Sequence, residues 1–113
     1  MIRLTAICLG FAVALAPGIS QAADGDPIVG KGKTAMCAGC HGVPGYKTAF
    51  PVTYSVPKIG GQHAAYIVKA LQGYKSGDRK HPSMRAIAAG LTDQDMADVA
   101  AYYASTAVQS ASK

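Results

Sequence analysis

The sequence predicts an all-α domain. Two stretches carry apolar side chains at the i, i+3, i+4, i+7 spacing of a helix with one buried face. The first is Ile67, Ala70, Leu71 and Tyr74; the second is Met96, Val99, Ala100 and Tyr103. Ahead of the second, Thr92 and Asp95 form a capping-box pattern in which Asp stands for the usual Glu. No strand pattern competes with these helices, and there is no internal repeat.

The elements follow in order. Met1-Ile2-Arg3 carries one positive charge, and Leu4 to Ala16 is an apolar run too short to cross a bilayer. Pro17-Gly18 breaks that run, and Ser20-Gln21-Ala22 offers the small residues a signal peptidase reads. Residues 1–22 are therefore expected to be a secretory signal peptide, and 23–113 the exported domain. Asp24 to Pro27 is a polar lead-in, with Pro27 suited to a first helical turn. Ile28 to Cys40 then reads as one short helix, weakened by Gly30 and Gly32. Residues 42–61 hold Gly42, Pro44, Gly45, Pro51, Pro57, Gly60 and Gly61, which predicts a long loop without regular structure. A loop of about 20 residues in a small domain normally wraps something or serves function.

The helix that begins after Gln62 is expected to end at Gly73 and Ser76-Gly77-Asp78. A basic loop follows, Arg79-Lys80-His81-Pro82-Ser83, then a short apolar segment from Met84 to Leu91. Asp93 and Asp95 sit where the start of the last helix favours negative charge.

At 113 residues and 50% apolar composition, the expectation is one small ordered domain, neither disordered nor a multidomain enzyme. The formal charge is +5. Signal removal would take away Arg3 and Cys8 and leave Cys37 and Cys40 as the only cysteines. That is too few for a disulfide-dense scaffold. A chain this short nevertheless needs a staple, metal or cofactor to complete its core.

Cys37-Ala38-Gly39-Cys40-His41 is the attachment signature of a c-type haem. Two thiols three residues apart on a helical turn can each add across a porphyrin vinyl group. The next residue, His41, is carried beneath the ring as a candidate iron ligand. Other uses of the same spacing fit less well. A thioredoxin-like dithiol belongs in an α/β pattern that is missing here. Zinc needs four ligands, and His63 and His81 are too scattered to supply them. For the second axial position the candidates are Met36, Met84, Met96, His63 and His81. Met36 adjoins Cys37 on the wrong side, Met96 lies on a core stripe, and the two His are expected to face solvent. The residues alone favour Met84, with His81 its main rival.

With these motifs in place, the chain resembles a class I c-type cytochrome of the small periplasmic monohaem kind, and one half of the two-haem periplasmic cytochromes. The resemblance rests on Cys37 to Gly42, Pro57-Lys58-Ile59-Gly60-Gly61-Gln62, His81-Pro82-Ser83-Met84, and Leu91 to Asp95 leading to Ala100-Ala101-Tyr102-Tyr103-Ala104. It implies the cytochrome c fold, three to four helices wrapped around one covalently bound haem. It also implies that Met84 is the second iron ligand. The Pro57 carbonyl would accept a hydrogen bond from His41, and Ile59 would pack on the ring. The first and last helices would cross near Gly30 and Tyr102 or Tyr103. The single signature means one haem c per chain, held through Cys37 and Cys40.

The function implied is single-electron transfer in the periplasm with His/Met ligation. The chain would be an electron carrier, not an enzyme, between redox partners such as membrane-bound oxidase or reductase complexes. The alternatives are a haem subunit of a periplasmic dehydrogenase, or a haem peroxidase or gas sensor with an open sixth position. Lys58, Lys69, Lys75, Arg79, Lys80 and Arg85, against Asp78 alone, suggest partners with acidic docking patches. Nucleic acid is not an expected partner, because an exported chain without a recognition motif gives no basis for one.

Overall fold

Asp26 opens the first helix. Its carboxylate accepts hydrogen bonds from the N–H groups of Ile28 (2.8 Å) and Val29 (3.3 Å), and Pro27 takes the first helical position. In a computed structural model that describes residues 24–49 and 52–110, this helix, α1, spans Pro27–Lys33. The expected signal peptide, 1–22, lies outside the described residues. A second helix, α2 (Ala35–His41), follows directly. The single helix expected over 28–40 is thus divided at Thr34. Its hydroxyl donates to the Lys31 carbonyl at 2.8 Å, offering the backbone an alternative to continued helix.

The glycine- and proline-rich stretch is not wholly irregular. Lys47–Thr48 (β1) pairs antiparallel with Tyr54–Ser55 (β2), with Lys47 opposite Ser55 and Thr48 opposite Tyr54. Helix α3 (Ala64–Ser76) runs through Gly73 and stops at Gly77, within the predicted Ser76-Gly77-Asp78 end. The stretch from Pro82 to Ala89 is a helix, α4, so the expected basic loop ends at His81 and Met84 stands in a first helical turn. Helix α5 spans Asp93–Ser110. The all-α class holds, with five helices among the described residues where three to four were expected. No helix among the described residues is long and apolar enough to cross a membrane.

Both predicted apolar faces point inward. Ile67 and Leu71 of α3 join Ala88 of α4 and Met96, Val99, Ala100 and Tyr103 of α5 in one buried cluster. The capping box at the start of α5 is reciprocal. The Thr92 N–H donates to Asp95 Oδ2 at 2.9 Å, and the Asp95 N–H donates to Thr92 Oγ1 at 3.1 Å.

Helix α1 crosses α5 at Gly30, the residue expected there. A Cβ on Gly30 would stand 2.0 Å from the Asp98 carbonyl oxygen, so only glycine lets the two backbones approach this closely. The backbone it meets is that of Asp98 and Val99, about one turn before the tyrosines expected at the crossing.

Charge locks the same crossing. Lys33 Nζ donates to the nearly buried Asp98 at 2.8 Å and pairs with Asp95 at 2.6 Å. Asp98 also accepts from the Asp26 N–H and from Gln94 Nε2, each at 2.9 Å. The Lys33 ammonium, then these backbone and amide donors, hold the Asp98 carboxyl down from 3.8 to about 2. Lys33 and the Thr92 donors likewise depress Asp95. A depressed carboxyl adds stability that is complete above its unfolded value and disappears as pH falls through its folded value. The melting temperature should therefore hold above about pH 4 and drop steadily toward about pH 2. In Lys33→Met it should start lower near neutrality and depend less on acid, as thermal unfolding across this range would show. An equally steep acid profile in Lys33→Met would remove the pair from the explanation.

Candidate haem site

Helix α2 carries the cysteine pair and His41 on a single short element. No disulfide joins Cys37 to Cys40. Cys37 is half-buried and leans on the core cluster, while Cys40 is exposed. Burial raises the Cys37 thiol above its ordinary value, against a smaller lowering from the neighbouring Tyr103 hydroxyl. Burial, with the nearby Cys37 charge, pushes Tyr103 up to about 12.

His41 sits at the C-terminal end of α2. Its Nδ1–H donates to the Pro57 carbonyl at 2.6 Å. A carbonyl can only accept, so the ring proton is on Nδ1 and the Nε2 lone pair is left for a metal. A hydrogen bond of this kind fixes the orientation and tautomer of a ligating imidazole.

The acceptor is itself held in place. The Gly61 N–H donates to the Tyr103 carbonyl at 2.8 Å, tying the loop after Pro57 to α5. Gly61 has φ +82°, a left-handed conformation that favours glycine at this anchor. Ile59, Cys37 and Met84 each pack, partly buried, against the core cluster. Ala64, Val68, Tyr74, Leu91 and Tyr102 meet the same cluster and are likewise only partly covered by protein, so three of the residues expected around a cofactor stand among apolar side chains with surface left to cover. Apolar rim, paired thiols and an imidazole with one free nitrogen together form a donor set and cradle that fit haem c.

The other candidate ligands are placed elsewhere. Met96 is fully buried in the core, and Met36 is 61% exposed on α2. His63 is exposed at the start of α3. His81 does not face solvent freely, contrary to expectation. It is half-buried, and its ring makes edge contacts with Tyr54 (5.1 Å) and Tyr74 (6.5 Å). Its Nδ1 accepts from the Met84 N–H at 3.3 Å. The proline after His81 was the available signal for a helix start here, since proline favours the first helical position. Among the described residues, no three His, Cys, Asp or Glu side chains converge as a zinc site would require.

The family model for cytochrome c matches residues 29–107. Cytochrome c4 of Pseudomonas aeruginosa is 40% identical over 88 residues, covering 78% of this chain and 41% of that protein. Cytochrome c-554(548) of Halomonas halodenitrificans is 39% identical over 84 residues, covering 72% of this chain and 96% of that protein. The crystal structure of reduced recombinant cytochrome c4 from Pseudomonas stutzeri superposes with a TM-score of 0.59 at 38% identity, covering 73% of this chain and 46% of that one. The chain thus spans less than half of these two cytochrome c4 proteins and nearly the whole length of the Halomonas protein.

Proposed function

The chain belongs to the cytochrome c family, and on that premise we propose that it is a periplasmic carrier of single electrons with His41 and Met84 as axial ligands. Members of the family bind haem c covalently through a cysteine pair, which Cys37 and Cys40 supply. Bound there, haem c supplies a one-electron couple at its iron.

The observation that carries this reading is the His41 to Pro57 hydrogen bond. It directs one imidazole nitrogen away from the protein backbone, on the same turn as the two thiols. Met84 adds a soft, neutral thioether, which favours the ferrous state and raises the potential. With His41 and Met84 both holding the iron, no position would be left for substrate, and these residues would hold and insulate the group rather than catalyse. Export by residues 1–22 would place residues 23–113 in the periplasm as the haem domain. Carbon monoxide tests the closed site. The reduced protein should leave it unbound, whereas a peroxidase or gas sensor would take it up readily.

Docking follows from charge. Arg79 is engaged internally, its guanidinium 4.9 Å from the Tyr74 ring centre and its Nη1–H donating to the Tyr66 hydroxyl at 3.4 Å. Lys75 donates to the Leu91 carbonyl. Lys80 and Arg85 flank the start of α4, both exposed, and line one shallow groove with His81 and Pro82. They are suited to steering acidic redox partners into brief contacts. Lys80→Glu with Arg85→Glu should slow reduction by such a partner about tenfold at low salt, with the difference shrinking as salt rises. Stopped-flow reduction at several ionic strengths measures this, and an unchanged low-salt rate would discard the docking face.

A further inference from the structure

His81 performs a task that the haem motif does not require. It precedes Pro82, so its backbone is pushed to an extended conformation (φ −156°, ψ 111°), which suits a residue standing just before a helix. Pro82 has no N–H to satisfy. The Met84 N–H is among the first-turn donors without an intrahelical partner, and His81 Nδ1 accepts it at 3.3 Å. The His81 carbonyl accepts from the Arg85 N–H at 2.9 Å, completing the turn. The ring itself is wedged between Tyr54 of the small hairpin and Tyr74 of α3, so the cap is tied to two other elements.

We infer that His81 is a positioning residue for Met84, holding the first turn of α4 closed so that the thioether stays directed at its site. This rests on the reading of Met84 as an axial ligand. Helix α4 has eight residues, too few to be stable alone, so its first turn depends on the cap and on packing against α3. Opening that turn would release Met84 before any other part of the core. Exogenous ligands compete only for the released state, so their apparent affinity measures how often the turn opens.

Two substitutions separate the cap from the ring. His81→Asn keeps a good capping acceptor and loses the aromatic contacts. His81→Phe keeps an aromatic ring and loses the acceptor. The readouts are the far-red sulfur-to-iron absorption band of the oxidised holoprotein and its optical titration with cyanide.

The expected result is a strong band in the parent protein and in His81→Asn, with cyanide affinities within about twofold of each other. In His81→Phe the band should weaken and cyanide should bind about fivefold tighter, the population change one helix cap controls. If His81→Phe does not fold, His81→Ala against His81→Asn carries the same comparison. Parent-like behaviour of the uncapped variant would overturn the inference, and so would a His81→Asn variant as weak as His81→Phe. A parent protein without the far-red band would instead remove Met84 as a ligand, and the positioning role with it.

Discussion

A chain with Cys37→Ala and Cys40→Ala together should retain no haem after acidified-solvent extraction and should lose most of its helical circular dichroism signal. Among the described residues, the buried apolar cluster consists of Ile67, Leu71, Ala88, Met96, Val99, Ala100 and Tyr103. Around it, Cys37, Ile59, Val68, Tyr74, Met84 and Leu91 are only partly covered by protein. A domain of this size cannot leave such a rim wet and keep its usual margin. Losing the group that covers it should cost about 5 kcal/mol or more, the lower end of what keeps a domain folded. Chemical denaturation followed by circular dichroism measures the loss. Single variants should keep one thioether and fall between the extremes. A double variant as stable as the parent would mean that the rim is completed by something other than a covalently held group.

The second large effect concerns Met84. Met84→Ala should abolish the far-red band, allow carbon monoxide to bind the reduced protein, and lower the reduction potential. Axial ligands set haem potentials over roughly 0.8 V, and replacing a thioether by water or hydroxide should claim a sizeable part of that range. The fold should survive, because Met84 is only half-buried and the core itself is formed by other residues. Optical titration against redox mediators gives the potential. Met36→Ala, at an exposed position on α2, is the matched control and should leave potential and band unchanged. A Met84→Ala protein with an intact band would transfer the ligand role elsewhere.

The long-period features were readable from the sequence because they depend on local spacing. The apolar faces of α3 and α5, the Thr92 and Asp95 cap and the Pro27 first turn all follow from residue type at fixed offsets, whereas the Asp26 cap is seen only in the structure. What was missed depends on contacts across the chain. The β1–β2 pair is two residues long on each side, too short for any alternation to register. The break at Thr34 depends on one hydroxyl turning back to Lys31. Residues 65 positions apart make the Lys33 to Asp98 bond, which no local pattern announces.

At the site, Cys37, Cys40 and His41 declare themselves by spacing, whereas the Pro57 acceptor was reached only by resemblance. The part of His81 was misread. A histidine in a basic loop looks like a solvated one, and only the packing of Tyr54 and Tyr74 brings its ring to the start of α4. The Pro82 that follows it was the local clue to a helix start, and to Met84 standing in a helical turn.

The most direct measurement is made on protein matured in cells that assemble c-type haem: intact mass under denaturing conditions, joined to optical spectra of the oxidised and reduced forms. The prediction is one haem's added mass on each chain, surviving denaturation, with a far-red band when oxidised and no response to carbon monoxide when reduced. A folded, colourless chain with the mass of the polypeptide alone would contradict it.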